Sequence, residues 1–414
     1  MPKVCVATST QLSTCPRMLK AADALTDFGY EVEVVSVSRT PWASEADRHL
    51  VRTRPWRWRE IVLRRDRAPL RAARAALRQR FAELVTQRLG PVSTPRLLLG
   101  RAAMRGEAEL ARALRASRCD LVYAGTGSAL LPVARTARCL GIPYALDLED
   151  FHPGERAGAE GLWHSQFMAR VLREALPGAA FRTGGSQAIA RAYEERYGLP
   201  VTPLHNVFPL PAERPPRPVR ELGAPLRLYW FSQTVGPDRG LEDVLEAARL
   251  GALQLQLTLR GVPARGYRES LSRQAAMVAG LDLRWEAPAS PEDMIRLCAE
   301  HDVGLGLERR EPKNKDLCLS NKVLTYVAAG MPLVLTDTRG QRPIAADLGR
   351  GSLLYPSGDA KALAEGLRRW SEDPASLSAA AEAVWQAARR RWRWDHELER
   401  EALRRLVEGV VGAP

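Results

Sequence analysis

The sequence predicts an α/β protein built from two doubly wound domains of similar size. Short apolar strands and amphipathic helices alternate from residue 3 to about residue 200, and the alternation restarts at residue 226 after a proline-rich segment. The length of 414 residues also exceeds what one hydrophobic core usually serves. Strands that alternate with helices are typical of parallel sheets covered by helices on both faces.

The first domain opens with a β-α-β unit. KVCVAT (residues 3–8) predicts a short buried strand, residues 16–28 a helix that Gly29 ends, and YEVEVVSV the next strand. The remaining elements follow in the same alternation. We expect strands at 120–124, 142–147 and 181–185, and helices near 128–140, 160–176 and 186–197.

The segment 208–224 is so rich in proline that it can continue neither a helix nor a central strand, and it predicts the linker between domains. We expect a first domain at 1–207, a second at 225–385, and a carboxyl-terminal helix at 386–414 that packs back toward the first. Elements of the second domain follow the alternation. Strands are expected at 226–232, 255–261 and 303–308, and helices at 241–250, 266–279, 291–300, 320–330 and 359–370.

Six scattered cysteines form no CxxC pair, and no histidine stands at metal-ligand spacing. They are expected to be small buried residues in a reducing compartment, and no metal site is expected. The first residues lack the apolar core of a signal peptide, and no apolar run is long enough to span a bilayer. These features predict a cytoplasmic protein. Separately, no cofactor is expected.

The net charge of +13 is concentrated in one region, since residues 51–118 hold 18 arginines and five acidic residues. Within the basic arm, residues 51–80, Trp56 and Trp58 alternate with arginines. Tryptophan favours the lipid–water interface and arginine attracts anionic headgroups, so the arm is compatible with peripheral binding to the inner face of a membrane. A solvated helical face explains it equally well. Single-stranded nucleic acid is a weaker alternative and is not expected, because no nucleic-acid module is recognisable.

Three strand-to-helix junctions of the second domain could bind a ligand, because parallel sheets bind ligands at the carboxyl ends of their strands. Two such domains facing each other would also leave a cleft between them. The first junction holds Gly236, Arg239 and Gly240, where a guanidinium beside a helix start suits phosphate. The second places Arg260 at a strand end. In the third, Ser320 precedes Asn321 and Lys322, and is expected to cap the helix while their backbone N–H groups stay free for an anion.

Each of these junctions has an ordinary alternative. The first could be a common loop with an exposed arginine, and Arg260 could be one of many surface arginines in this chain. Asn321 and Lys322 could simply be polar residues on an exposed first turn.

The order of several segments resembles a family 4 glycosyltransferase of the GT-B fold. GPDRGLEDVLEA, LTLRG, HDVGLGLE and LSNKVLTYVAAGMPLVLTD are similar to its carboxyl-terminal half. The opening STQLSTCPRMLKAADALTDFGYEVEVV, then GIPYALDLEDFHP and GGSQAIARAYEERYGLPVTPLHNVFP, are similar to its amino-terminal half. The resemblance covers nearly the whole chain in the family's order. It implies the GT-B fold, with a nucleotide-sugar domain after an acceptor domain.

The resemblance also implies retaining, metal-independent transfer from a nucleoside-diphosphate sugar. It places the diphosphate at Arg239 and at the helix start of Asn321 and Lys322, and the sugar within the loop from Glu308 to Ser320. Arg17 and Asp147 are expected on the acceptor side. Positive groups and helix N–H donors would stabilise the leaving diphosphate without a metal.

Two positions depart from the family pattern. Its Glu-x7-Glu pair falls on Leu317 and Thr325, and a threonine hydroxyl binds ribose less strongly than a carboxylate does. Its acceptor-side histidine falls on Glu149. Glu149, Asp150 or the nearby His152 are therefore the catalytic candidates, able to orient an acceptor hydroxyl or take its proton. The acidic pair could instead cap the next element or pair with arginine.

A retaining glycosyltransferase is therefore the expected function, with an unknown acceptor. The replacements at Leu317 and Thr325 keep a second hypothesis open, a catalytically degraded GT-B protein that binds a nucleotide or a partner. A sugar-nucleotide epimerase on the same fold is a third.

Overall fold

The computed structural model describes residues 1–217, 219–394 and 398–414, so Pro218 of the predicted linker and positions 395–397 of the predicted terminal helix lie outside the described residues. Two compact units divide the chain. Unit 1 comprises residues 1–204 and 400–414, and unit 2 comprises residues 205–399.

Unit 1 is built on a seven-stranded parallel sheet. Its strands are β1 (Lys3–Thr8), β2 (Glu31–Ser38), β3 (Arg57–Val62), β4 (Leu121–Gly125), β5 (Tyr144–Leu148), β6 (Arg182–Gly184) and β7 (Thr202–Pro203). They lie in the order β3-β2-β1-β4-β5-β6-β7, and every neighbouring pair is parallel. The central strands are fully buried because helices cover both faces, which is why they consist of nearly continuous apolar runs.

The helices of unit 1 fill the crossovers between those strands. They are α1 (Pro16–Asp27), α2 (Pro41–Val51), α3 (Pro69–Leu89), α4 (Arg96–Ala103), α5 (Glu107–Ser117), α6 (Leu130–Leu140), α7 (Gly158–Ala175) and α8 (Gln187–Tyr197). A short 3-10 helix at Leu12–Thr14 precedes α1, and another at His152–Gly154 follows β5.

Strand β3 lies in the basic arm, where the sequence suggested a surface at a lipid interface. Trp56 is only 6 % exposed, and its indole N–H donates to Asp23 at 2.7 Å. Trp58 donates to Ser36 of the neighbouring strand at 2.9 Å. A lipid-facing position is therefore contradicted for Trp56, whereas Trp58 is half-buried and its position at a lipid interface stays a prediction. Pairing of β3 with β2 brings both indoles against the rest of unit 1.

Helix α3 turns its small residues inward and its large apolar residues outward. Buried positions on its inner side are Ala72, Ala75, Ala82 and Thr86. Its exposed apolar residues are Leu70, Leu77, Phe81 and Leu84, at 74 %, 72 %, 59 % and 42 % exposure. These four are spaced by seven, four and three residues, so they form one stripe along the helix. We call it the outer stripe.

Unit 2 is built on a six-stranded parallel sheet. Its strands are β8 (Leu226–Val235), β9 (Leu255–Pro263), β10 (Leu281–Glu286), β11 (Val303–Gly306), β12 (Leu333–Thr336) and β13 (Ser352–Tyr355), in the order β10-β9-β8-β11-β12-β13. Adjacent residues of β8 bury on opposite faces of the sheet. Trp230 packs with Leu241 and Leu367 on one face, and Tyr229 with Met294 and Tyr326 on the other.

The helices of unit 2 cover both faces of this sheet. They are α9 (Leu241–Gly251), α10 (Tyr267–Ala276), α11 (Met294–Ala299), α12 (Lys313–Leu317), α13 (Asn321–Ala328), α14 (Arg342–Leu348), α15 (Ala360–Glu372) and α16 (Pro374–Arg390), with a 3-10 turn at Gly349–Gly351. The proline-rich segment packs on this unit through arginines. Arg217 donates to the carbonyls of Gly330, His301 and Asp302.

The last helix is α17 (Glu399–Val411). Its residues from 400 onward belong to unit 1, where Arg400 pairs with Asp27 at 2.6 Å and the hydroxyl of Tyr30 donates to the carbonyl of Gly412.

Candidate functional site

The carboxyl ends of β8, β9, β11 and β12 meet at one edge of the second sheet, because these strands are parallel. The residues that the sequence assigned to a nucleotide sugar follow these strand ends or lie on the first turns of the helices after them. In open parallel sheets this edge is where ligands bind. We call it the donor edge.

The loop between β8 and α9 presents Arg239 at the donor edge. Gly240 has φ 75°, and a Cβ there would lie 2.9 Å from the Cβ of Leu307, so only glycine allows the loop to pack this closely against the chain after β11. Arg239 is half-buried, and it makes no ion pair or side-chain hydrogen bond with any residue that the structure describes. Its guanidinium is therefore available to an anion.

Glu308 follows β11 and is bound by two lysines. The ammonium of Lys322 lies 2.6 Å from one carboxylate oxygen, and that of Lys315 lies 3.1 Å from the other. Burial alone would raise the pKa of Glu308, but the charges of the two ammonium groups outweigh it and lower the pKa to about 2. At neutral pH the three groups carry a net charge of +1 just beyond a strand end.

Neighbouring groups fix this cluster in place. The hydroxyl of Thr336, at the end of β12, accepts from the Glu308 N–H at 2.9 Å and lies 2.6 Å from its carbonyl. The ammonium of Lys322 lies 5.5 Å from the ring centre of the buried Trp230, close enough for a cation–π contact. Arg309, which follows Glu308 in the chain, donates two hydrogen bonds of 3.1 Å to Asp243 on the first turn of α9.

Helix α13 begins at the predicted residue but without the predicted cap. Ser320 occupies the N-cap position, yet its side chain makes no capping bond and its Oγ is buried without a hydrogen-bond partner among the described residues. The Ser320 carbonyl accepts the first hydrogen bonds of the helix, from the N–H of Val323 at 3.0 Å and of Leu324 at 3.5 Å. The prediction of a side-chain cap is therefore wrong. The side chain of Asn321 accepts from Asn206 at 2.9 Å.

Thr325 and Arg260 are engaged within unit 2. The Thr325 hydroxyl donates to the Asn321 carbonyl at 2.9 Å, one helical turn earlier. Arg260 donates to the Tyr229 hydroxyl at 2.8 Å and to the Ala287 carbonyl at 2.7 Å. Arg260 is therefore held against unit 2 and is not the freely exposed arginine of the alternative interpretation.

A corresponding edge of the first sheet holds the predicted acceptor-side residues. Arg17 binds Asp147 through two hydrogen bonds of 2.6 and 2.8 Å, and it also donates to the Leu204 carbonyl. Asp147 accepts in addition from Thr183 at 2.6 Å. Both charged groups are buried and satisfied by one another, so they support the end of β5 from within. Their geometry therefore favours a supporting role over direct contact with an acceptor.

Glu149 stands just beyond β5 and is largely buried. Burial raises its pKa, the charge of Arg17 lowers it, and the nearby Asp147 and Asp150 raise it again, with the result that the pKa of Glu149 lies at about 7. A carboxyl group with this pKa is protonated in part of the molecules at neutral pH. It can therefore donate or accept a hydrogen bond, which is the property expected of a group that handles a hydroxyl.

His152 lies in the 3-10 turn after β5, beside two groups that the sequence did not single out. Its Nδ1 is 2.6 Å from Glu155, and Glu155 also lies 3.3 Å from His164. Although burial raises the pKa of Glu155, hydrogen bonds from the two histidines lower it to about 2. Burial lowers the pKa of His152, but Glu155 more than compensates, and the net shift is upward.

Sequence reasoning identified the strand ends but missed the partners that set their charge. Lys315 lies in the charged run ERREPKNKD, where no pattern distinguishes it from its neighbours. Glu155 stands three residues after His152, a spacing that places both on one turn and could have indicated the pair. Thr336 gives no sequence signal, because its role depends on contacts across the sheet edge.

Comparison with known proteins shows which family and which solved structures the chain is similar to. Residues 240–401 match a protein family described as glycosyl transferase-like, and this span begins just after Arg239 and includes Glu308 and both of its lysines. No curated protein matches the chain at a significant level.

Solved structures match over the whole chain. HepE from Anabaena, in complex with UDP and glucose, superposes with a TM-score of 0.68 at 15 % identity and full coverage of both chains. Sucrose-phosphate synthase from Thermosynechococcus elongatus gives 0.68 at 13 % identity, again over both whole chains. The lipopolysaccharide outer core galactosyltransferase WaaB, without ligand, gives 0.63 at 11 % identity over 98 % of this chain and 99 % of its own.

The chain has the GT-B fold. The predicted fold class is thereby confirmed, and residues 240–401 form a glycosyltransferase-like domain within it. Among the residues that the structure describes, no helix of this GT-B protein is both long and apolar enough to cross a bilayer.

Proposed function

We propose that this GT-B protein is a glycosyltransferase that moves a sugar from a nucleoside-diphosphate sugar to an acceptor hydroxyl. The observation that carries the proposal is the net positive cluster of Glu308, Lys315 and Lys322 at a strand end inside the glycosyltransferase-like domain. Breaking the glycosidic bond leaves a diphosphate that gains negative charge. Cations already in place stabilise that charge without reorganisation.

Each group of the donor edge has a role in this proposal. Arg239 grips the diphosphate with its unpaired guanidinium, and Lys322 shares its ammonium between Glu308 and a phosphate oxygen. The backbone N–H groups of Asn321 and Lys322, at the positive amino-terminal end of α13, donate to the same diphosphate. These cations can compensate the leaving charge, so we propose that transfer needs no metal cofactor. The Glu308–Ser320 loop surrounds the sugar.

The acceptor hydroxyl is handled by unit 1 in this proposal. Glu149, with its pKa near 7, orients the hydroxyl or exchanges a proton with it, and Asp150 and His152 flank it on the following residues. Retention of the anomeric configuration is proposed from the family resemblance. Because UDP and glucose occupy a structure of the same fold, UDP is the first nucleotide to test.

A titration with UDP tests the donor part of the proposal. UDP should raise the melting temperature of the whole chain, and Arg239→Ala should weaken its binding by roughly 1.5–3 kcal/mol, because a charge-assisted phosphate contact is lost. Arg369→Ala, at an exposed arginine on α15, is the matched control and should leave UDP affinity unchanged. If no nucleoside diphosphate stabilises the protein, the donor edge is misassigned.

Turnover tests the enzymatic part. A panel of sugar nucleotides should show hydrolysis or transfer, with the product anomer reporting retention. One observation favours a degraded enzyme instead, since Leu317 is 1 % exposed and the Thr325 hydroxyl is spent within its own helix. Tight UDP binding without turnover on any donor would support that second function.

We also propose that the protein is a peripheral membrane protein of the cytoplasmic face, through helix α3. The outer stripe of α3 is flanked by exposed arginines at positions 71, 74, 80 and 88, a pattern that suits an anionic lipid surface. Vesicles containing phosphatidylglycerol should bind the protein, and vesicles of phosphatidylcholine alone should bind it less. Leu77→Ser with Phe81→Ser should abolish the binding. If this variant binds the vesicles as well as the unmodified protein does, α3 does not contact the membrane and faces solvent.

A further inference from the structure

Beneath α3, unit 1 contains a cavity of about 500 Å³. Its walls come from polar residues of α3, the end of α4, the loop after β4, the turn after β5 and the first half of α7. The hydrogen-bonding side chains among its lining include Gln79, Glu83, Gln87, His152, Glu155 and Arg156. This volume lies within the roughly 300–1,000 Å³ that is usual for small-molecule pockets.

His152 is one of the lining residues, and one of its ring nitrogens is an unsatisfied polar atom buried beside the cavity. The residue is 4 % exposed, its Nδ1 is bound to Glu155, and its Nε2 is buried without a hydrogen-bond partner among the described residues. A buried polar atom without a partner costs free energy, so it indicates a ligand or solvent group that completes it. A hydroxyl can both donate and accept, and therefore satisfies Nε2 in either protonation state of the ring.

The backbone of the loop after β4 lies very close to the His152 ring. A Cβ on Gly127 would lie 2.9 Å from the His152 ring, so any larger residue would displace it. The preceding residue, Thr126, has φ 72°, an unfavourable conformation for a β-branched side chain. Hydrogen bonds from Ser9 to the Thr126 hydroxyl, at 3.1 and 2.7 Å, hold it there. Backbone strain that the surroundings maintain in this way is typical of functional sites.

An aromatic pair forms another wall. The ring of Trp163 is 37 % exposed and stacks on Phe167 with ring centres 5.2 Å apart and planes inclined by 7°. The stack fixes the orientation of a large indole that lines a polar cavity. A rigid aromatic face beside several hydrogen-bonding groups suits a sugar ring, which is apolar on its C–H faces and polar around its rim.

The charge of the cavity argues against a phosphate ligand. Arg156 is the only arginine or lysine among its lining residues, Glu83 adds a carboxylate, and the two lining histidines are already bound to Glu155. We infer that this cavity binds a neutral, hydroxyl-rich saccharide, the acceptor of the transfer. This inference rests on the proposed function and adds the acceptor's chemical class and the residues that recognise it.

The test is binding of the labelled full chain to an array of neutral, acidic and phosphorylated glycans. We expect binding to neutral glycans, lost by at least roughly tenfold in Trp163→Ala. Trp42→Ala is the matched control, because Trp42 is an exposed tryptophan on α2, and it should bind as the unmodified protein does. Gln87→Ala, at an exposed position of the cavity wall, is the second variant in case Trp163→Ala does not fold, and it should also weaken binding.

Stabilisation by UDP separates this inference from the proposed function. UDP should raise the melting temperature of Trp163→Ala as much as that of the unmodified protein, since the donor edge lies in unit 2. Retained UDP binding with neutral-glycan binding unaffected by either variant would overturn the cavity inference alone. Binding only to phosphorylated glycans, or to none, would overturn it as well.

Discussion

Glu308 in unit 2 and Glu149 in unit 1 occupy equivalent places, each just beyond the carboxyl end of a central parallel strand, yet their charges differ. Two lysines hold Glu308 and lower its pKa to about 2, whereas burial without a paired cation raises the pKa of Glu149 to about 7. The strand end supplies the position, and the side chains around it decide the protonation state. One edge is thereby prepared for an anion and the other for a hydroxyl.

The contributions of the two carboxyl groups to stability change with pH in opposite directions. Because the pKa of Glu308 is lowered by folding, its contribution is present above about pH 4.5 and is lost as the pH falls toward 2. Because the pKa of Glu149 is raised, its contribution is present below about pH 4.5 and is lost as the pH rises through 7.

The largest effect is expected from Lys322→Met. Removing one partner of a buried ion pair leaves charge uncompensated, and the free energy of unfolding should fall by about 3 kcal/mol, at the lower end of the usual range because Lys315 remains. Urea unfolding at pH 7 measures this. Lys361→Met, at an exposed lysine on α15, should change little. Adding Glu308→Gln to Lys322→Met should recover most of the loss, and no recovery would mean that the pair does not govern this edge.

Glu149→Gln should behave in the opposite way. The carboxyl ionises near pH 4.5 in the unfolded chain but only near pH 7 in the folded protein, so between these values folding loses about 3 kcal/mol of stability. The glutamine variant should therefore be more stable than the unmodified protein at pH 8, by up to that amount, and should lack the decline between pH 5 and 7. Unfolding curves at several pH values show this. Glu45→Gln, at an exposed residue of α2, serves as control, and an identical decline in both variants would refute the shifted pKa.

Gly127→Ala tests how closely the chain after β4 packs against the His152 ring. The added Cβ would lie 2.9 Å from the His152 ring, and overpacking of this kind costs about 1–3 kcal/mol. Gly409→Ala is the control, since a Cβ there meets nothing within 4 Å and alanine favours the helix of α17 by about 0.5–1 kcal/mol. Opposite shifts in melting temperature are expected. A shift of the same sign and size would show that the ring yields freely.

Thr325→Val is expected to have the smallest effect. Its hydroxyl bonds only to the carbonyl one turn earlier, so both the stability and the UDP affinity should change by less than about 1 kcal/mol. Isothermal titration with UDP checks this. A much larger loss of affinity would mean that the threonine takes over the ribose contact of the family's missing carboxylate.

Sequence periodicity predicted most of the fold because the central strands are apolar runs between amphipathic helices. It missed β3, whose residues Arg57–Val62 alternate charge with Trp58 and were interpreted as a surface arm. A strand at the end of the sheet keeps one side toward solvent, so its pattern resembles that of an exposed segment.

The candidate site was predictable in position and unpredictable in chemistry. Parallel topology placed Arg239, Glu308, Lys322 and Glu149 at strand ends from the sequence alone. The pKa of each carboxyl depends on burial and on residues distant in the chain, such as Lys315 for Glu308. The Ser320 side chain, predicted as a cap, shows the same limit, since the serine occupies the N-cap position but its side chain makes no capping bond.

The alanines on the inner side of α3 have a consequence for how this surface can change. Side chains that end at Cβ interlock little with the layer below, so the backbone of α3 is held at close range while its large residues take no part in holding it. Replacing Leu70 or Leu77, the most exposed of the four outer residues, therefore removes little core volume. These outer residues can be changed at small cost to folding, which leaves them free to be fitted to a different surface.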